Sequence, residues 1–234
     1  MIKIKKDLTT GPGYLVLEKI IPDSIIDSIT EKLHLLHPVR ASSSNKKYAE
    51  RDEIKNLPNI SVWWSQMVTD WPEVIEINKL IHKHIVTHLE NAELYSSDIV
   101  TIEPHSKWIN PHIDTPHRFK EYNYDRRLLG IQSIVALVDM DGNSASTGIV
   151  PKSQNMDFNI NLCYKGLYDQ WFKLNCVQPK IPKGSVLFYN CRVMHSSMPN
   201  PLDKSRPALL LNYLDRDIIE EVKKLDNIWA SNGN

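Results

Sequence analysis

Net charge is missing from this sequence: 28 lysines and arginines balance 28 aspartates and glutamates over 234 residues. Polyanion binders draw their affinity from lysines and arginines that neutralise phosphates, so the balance argues against a nucleic-acid partner. Cysteine is scarce. Cys163, Cys176 and Cys191 are odd in number and show no CxxC spacing, which fits reduced thiols in a cytosol better than a disulfide framework. No run of about 18 apolar residues occurs, so no membrane span is expected. The charged start from Met1 to Asp7 is not followed by an apolar stretch of signal-peptide length. Internal repeats and low-complexity tracts are also absent. These absences predict a soluble, cytoplasmic protein and leave its oligomeric state open.

What is present is an ordinary globular composition, with 41% apolar and 24% charged residues. A chain of this length buries a sizeable core without disulfides or a structural metal. The first helix follows Pro22, with Asp23 or Ser24 as N-cap and Ile25, Ile26, Ile29, Leu33 and Leu36 in one apolar stripe. The second starts near Pro72, with Val74, Ile77, Ile81, Ile85 and Leu89 at helical spacing. A last helix is expected from about Asp217 to Ile228, with Ile218, Val222, Leu225 and Trp229 on one side. Ala41 to Lys47 reads as a loop.

Between 98 and 215 the pattern turns to short strands: Ile99–Ile102, Gly130–Val138, Gly148–Val150, Cys176–Gln178, Ser185–Tyr189 and Ala208–Leu214. Such a series predicts an antiparallel jelly roll with the early helices against one sheet, a mainly β fold with flanking helices. One domain over 1–234 is expected. It divides into a helical N-terminal support region at 1–97, a jelly-roll core at 98–215 and a C-terminal helix at 216–234.

The chemistry starts at His112-Ile113-Asp114. In extended backbone, side chains two apart point the same way, so one imidazole and one carboxylate reach a common point while Ile113 faces elsewhere. His195 ends the apolar strand from Gly184 to Asn190 and supplies a second imidazole. Two histidines and one carboxylate on one face of a metal leave three open positions, the arrangement that suits Fe(II) oxygenases. Arg206 follows eleven residues after His195, with the turn signal Asn200-Pro201 between them. If the chain reverses there, His195 and Arg206 come opposite each other on neighbouring strands, and the guanidinium can pair with a carboxylate. The far end of 2-oxoglutarate needs such a partner.

Other polar residues have plainer readings. His84 and His88 have a spacing that can bind zinc, but no third ligand is evident nearby and a surface pair is expected. His105 and His117 flank the motif, where either can be mistaken for a ligand or contact substrate. Arg118, Lys120, Arg126 and Arg127 can meet an anionic substrate, or can be a solvated loop balanced by Glu121 and Asp125. Trp63, Trp64 and Trp71 read as core rather than cleft, and Cys191 as a small buried filler.

The stretch from His112 to Tyr213 resembles the phytanoyl-CoA dioxygenase family of Fe(II)/2-oxoglutarate oxygenases. The resemblance rests on His112-x-Asp114, on Ile134 to Asp139, on the turn from Val150 to Gln154, and on His195-x-Ser197-x-Pro199-Asn200 with Arg206-Pro207-Ala208 and Tyr213. It implies a double-stranded β-helix, a cupin-like jelly roll, with iron held by His112, Asp114 and His195. It implies that Arg206 grips the C5 carboxylate of 2-oxoglutarate, that Ser197 touches the co-substrate, and that Gln132 is a further contact. The cofactors implied are Fe(II), 2-oxoglutarate as co-substrate, and O2. Where the family turn reads Pro-Gly-Ser-His, Lys152 and Gln154 replace the glycine and the histidine. Where a preceding loop carries Asn-Gly, Ser144-Ala145 stands. Related halogenases lack the carboxylate ligand, so the presence of Asp114 favours hydroxylation.

The expected function is therefore a dioxygenase that hydroxylates a small molecule with release of succinate and CO2. The same chemistry on a protein side chain or nucleobase stays open, as does a jelly-roll module that binds a metal or ligand without turnover. A cupin-type metalloenzyme without keto acid is a further alternative, which Arg206 argues against.

Overall fold

A computed structural model of the chain describes residues 7–35, 39–42, 62–106, 109–164 and 166–231. The strands are β1 (Tyr14–Leu17), β2 (Val39–Ser42), β3 (Val62–Met67), β4 (Ala92–Ile102), β5 (Gly130–Ala136), β6 (Thr147–Ile149), β7 (Val186–Asn190), β8 (His195–Ser197) and β9 (Arg206–Asp215). The helices are α1 (Asp23–Lys32), α2 (Pro72–Ile85), α3 (Ile160–Tyr164), α4 (Asp169–Asn175) and α5 (Ile219–Ser231).

A seven-stranded antiparallel sheet runs in the order β1-β7-β5-β9-β4-β3-β2, and β6 pairs with β8 in a second, smaller one. Isolated bridges widen the small sheet, His112 against His195 on one side and Val177 against Ile149 on the other. The two sheets face each other as a jelly roll.

Strand parity sorts the large sheet's side chains into two layers. On the outer face, Ile99, Ile131, Val135, Val186, Phe188, Leu209, Leu211 and Tyr213 pack with Ile25, Ile26 and Ile29 of α1 and Val74, Ile77, Ile81 and Ile85 of α2. On the inner face, Ile134, Ala136, Leu187, Tyr189 and Ala208 meet Ile149 and Val193 from the opposite side, with Leu210 packed against them. Both faces of the central strands are covered, so β5 and β7 are buried at every residue. This is why their sequence shows no clean alternation.

Several elements differ from expectation. The N-terminal part carries β1, β2, β3 and most of β4 besides its helices. The pairing partners of β1 and of β4 on β9 lie more than a hundred residues away, and local periodicity does not report such pairing. The Cys176–Gln178 strand shrinks to the single bridge at Val177. Asp23 lies inside α1 rather than capping it, because Pro22 holds the N-cap position. Leu36 and 43–47 fall outside the described residues.

Two departures from the resemblance, one in the turn and one in the preceding loop, have a backbone consequence. Lys152 sits at φ 65° and Ala145 at φ 54°, so each occupies left-handed backbone where the family places glycine. A side chain there costs about 1–2 kcal/mol, partly offset by the roughly 0.5–1 kcal/mol of chain entropy that glycine loses on folding. The Lys152 side chain is exposed, so Lys152→Gly removes the strain without removing packing. The variant should melt about 1–4 °C higher in a calorimetric scan. Gln154 donates from Nε2 to the carbonyls of Thr9 and Gly11 at 3.0 and 3.1 Å, tying the N-terminal segment to this turn.

Candidate metal centre

His112 and Asp114 lie on the extended segment that runs beside β8. The backbone N–H of His112 donates to the carbonyl of His195 and that of His195 to the carbonyl of His112, both at 3.0 Å, while Asp114 N–H donates to Cys191 at 2.8 Å. Ile113, between them, is buried against Val150, Phe172 and Met194 on the far side. The two-residue period therefore aims both polar side chains at the same point, as the sequence predicts. His195 opens β8 and faces them. One ligand atom from each of the three residues lies within 4.8 Å of the others. His112 Nε2 is 3.8 Å from Asp114 Oδ1, and His195 Nε2 is 3.3 Å from Asp114 Oδ2.

Hydrogen bonds set the tautomers. His112 Nδ1 lies 2.8 Å from the carbonyl of Asn110, and His195 Nδ1 lies 3.0 Å from that of Val193. A carbonyl only accepts, so each Nδ1 carries a proton and each Nε2 is the ring nitrogen turned to the shared point. Burial holds the His195 imidazole's pKa down at about 4, against the opposing pull of the Asp114 carboxylate, so the ring is neutral at pH 7. Ligands about 2.1 Å from one ion at right angles stand roughly 3 Å apart. The donor set is thus slightly wider than a loaded site and closes on a cation with small movements.

Tyr189, which the sequence reading placed only as a strand residue, belongs to this centre. Its Oη lies 3.0 Å from Asp114 Oδ2 and 3.0 Å from His195 Nε2. Burial, then the Asp114 charge, push the phenol well above its usual pKa, so it stays protonated and donates to the carboxylate. The missed signal was parity: Tyr189 faces the inner wall with Leu187.

Arg206 stands where a reversal at Asn200 brings it, though not on a neighbouring strand. β8 belongs to the small sheet and β9 to the large one, so the two residues meet across the barrel instead of along a ladder. The turn is pinned by buried Asn200, whose Nδ2 donates to the carbonyls of Ile102, Glu103 and Lys204. Arg206 Nη2 reaches Ser197 Oγ at 3.4 Å. The guanidinium is 4% exposed, its Nε has no partner, and no carboxylate pairs with it among the described residues. Burial draws its pKa down to about 10, which still leaves it charged at neutral pH.

Gln132 is buried on the inner wall, with Tyr189 beside it on one strand and Asn212 on the other. It stands level with Tyr189, at the metal end. Arg206 lies six residues back along β9 from Asn212, roughly 20 Å of strand.

The remaining polar residues fall away from the centre. His88 is buried, not a surface residue, and the His112, Asp114 and His195 group is the one metal-type cluster among the described residues. His105 pairs with Asp203 in solvent. His117 is fully buried, with Nδ1 against the carbonyl of Tyr122. The basic stretch is largely neutralised: Arg118 pairs with Asp226, Arg126 with Asp157 and Arg127 with Asp125. Trp71 packs against the helical core, and the Trp63 and Trp64 side chains lie outside the described residues. Cys191 is a fully buried filler. No helix among the described residues is long and apolar enough to cross a membrane.

Comparison with known proteins follows the same geometry. No curated protein matches by sequence. The fold recurs in solved structures at low identity. The α-ketoglutarate-dependent epimerase SnoN from nogalamycin biosynthesis, in complex with Fe3+, α-ketoglutarate and nogalamycin RO, is 16% identical, with a TM-score of 0.67 over 92% of this chain and 83% of that one. The carbocyclase SnoK from the same biosynthesis is 16% identical, with a TM-score of 0.65 over 92% and 84%. HygX from Streptomyces hygroscopicus, with nickel, 2-oxoglutarate and hygromycin B bound, is 14% identical, with a TM-score of 0.64 over 90% and 85%. The sequence profile of the phytanoyl-CoA dioxygenase (PhyH) family matches residues 10–208, a span that starts before β1 and takes in the clustered His112, Asp114 and His195 and Arg206, and with most of its length so matched the chain belongs to the phytanoyl-CoA dioxygenase family.

Proposed function

We propose that the chain is an Fe(II)- and 2-oxoglutarate-dependent dioxygenase that hydroxylates a small molecule. His112, Asp114 and His195 would hold the iron, and Arg206 with Ser197 would hold the C5 carboxylate of 2-oxoglutarate. Gln132 would contact its metal-bound end. One observation carries the reading: a buried guanidinium without an anion among the described residues stands across the barrel from two imidazoles and a carboxylate whose ligand atoms converge. A lone buried cation is costly. A dicarboxylate keto acid supplies its missing partner, which neither a cupin centre without keto acid nor a bare metal-binding module needs. The relatives of this fold solved with iron or nickel, a keto acid and a small molecule add support.

When bound, ferrous iron supplies dioxygen activation coupled to decarboxylation of the keto acid, with succinate and CO2 as products. The protein's part is positional. The Asn110 and Val193 carbonyls fix the two imidazoles. Arg206 sets the direction of the keto acid from the far end. The inner wall of Ile134, Ala136, Leu187 and Ala208 excludes water. Asp114 occupies the position that a halide would need, hence hydroxylation.

Anaerobic titration of the protein with Fe(II) and then 2-oxoglutarate tests this. A weak visible charge-transfer band should grow to one equivalent of each, and its absence would sink the proposal. Tyr189→Phe should keep the fold and the band but bind iron about 10-fold more weakly, the lower end for loss of a ligand-orienting hydrogen bond. Equilibrium dialysis of iron at fixed keto acid reads it.

A further inference from the structure

The inner wall of the large sheet carries polar side chains that the metal and Arg206 leave unused. By register, Ser96 on β4, Asn212 on β9 and Gln132 on β5 stand in one row that ends at Tyr189 on β7. The Tyr189 hydroxyl touches Asp114 and His195, so this row faces the metal centre. Asp98 stands one row over, directly opposite Leu210. Leu210 packs into the inter-sheet core with Tyr189 and Ile149, so Asp98 shares that face. Asp98 and Asn212 are therefore diagonal neighbours, roughly 7–8 Å apart.

Asn212 is under-satisfied, and half-buried Asp98 has a hydroxyl, Ser96, but no cation beside it among the described residues. Asn212 is 8% exposed and its Oδ1 has no hydrogen-bond partner among the described residues. Asp98 makes no ion pair among the described residues, and burial pushes its carboxyl up, with only the Ser96 hydroxyl opposing. A buried acceptor left unpaired costs about 1–3 kcal/mol, more when charged. An unpaired polar group in a native fold calls for an explanation, and a ligand that brings the missing donors is one. 2-Oxoglutarate cannot bring them: it is an anion that Asp98 repels, and it offers Asn212 Oδ1 no hydrogen. The strip therefore serves the other ligand, the substrate.

We propose that Asp98 and Asn212 form a substrate subsite selecting a small molecule that carries a protonated amine beside a hydroxyl or second N–H. The ammonium sits on Asp98 and the neighbouring donor on Asn212 Oδ1. This assignment rests on the dioxygenase reading above.

The test uses the full chain loaded anaerobically with Fe(II) and 2-oxoglutarate, titrated with glucosamine, N-acetylglucosamine and glucose by calorimetry. The three share a ring and differ in the ammonium. Glucosamine should bind at least about tenfold more tightly than its two neutral counterparts, the lower bound for a charge-assisted contact. Asp98→Asn, which keeps shape, should erase that preference, and Asn212→Asp, which adds a second carboxylate, should increase it severalfold. The second variant decides the matter if the first does not fold. Equal binding of the three sugars, no glucosamine binding, or a preference indifferent to both substitutions overturns the subsite. If the charge-transfer band still forms in that case, the dioxygenase reading stands. Loss of the band with the amine preference intact removes that reading and leaves the subsite standing.

Discussion

Asp114→Ala should end keto-acid-dependent succinate formation, lowering it by more than about 100-fold. The bound comes from the outer contacts of metal ligands, whose loss alone costs about 10–100-fold. Asp114 is the one anionic donor in the cluster, so on the proposed function its removal would take both a ligand and the charge that balances the metal. The alanine variant should also fail to retain one equivalent of added iron, measured by metal analysis after desalting. Asp114→Asn keeps the volume and the contact with Tyr189 while removing the charge, and should fall with it. Retained iron and retained turnover in both variants would mean that the cluster is not the metal centre.

Arg206→Leu should separate function from stability. Truncating one member of a buried, hydrogen-bonded charge pair costs about 2–5 kcal/mol of binding. Half-saturation by 2-oxoglutarate should therefore rise by at least roughly 30-fold. The ligand-free protein should move the other way. Its buried guanidinium has no anion and an unpartnered Nε among the described residues, so an apolar side chain of similar volume relieves a desolvation penalty. A melting temperature above that of the parent, with turnover lost, is the expected signature. A residue held for structure would show both falling together. Scanning calorimetry without co-substrate, beside a titration of initial rate against 2-oxoglutarate, reads the two effects.

Two substitutions relative to the family show what a single chain reveals and hides. Lys152 and Ala145 replace glycines in the resemblance, and the fold keeps φ at 65° and 54° there. The sequence marks both turns as unusual, but the sign of φ comes from how the turns are clamped. Lys152 N–H donates to the Pro12 carbonyl at 2.8 Å, a contact between the turn and the N-terminal segment.

The helices α1 and α2 and the His112-x-Asp114 pair were legible in the chain because their information is local. A 3.6-residue apolar stripe or a two-residue polar period survives in any context. The pairing of Leu94 to Ile102 with Arg206 to Tyr213, more than a hundred residues apart, leaves no such trace.

Residue types and short spacings alone pointed to His112, Asp114, His195 and Arg206 and to the mainly β class, since side-chain chemistry and strand periodicity are properties of a short segment. Sheet register decided the rest. It put Arg206 across the barrel from His195 instead of beside it, brought Tyr189 onto Asp114, and lined up Asp98 with Asn212 on the inner wall. Register is set by burial of whole faces against distant partners, a cooperative outcome that no window of the chain contains.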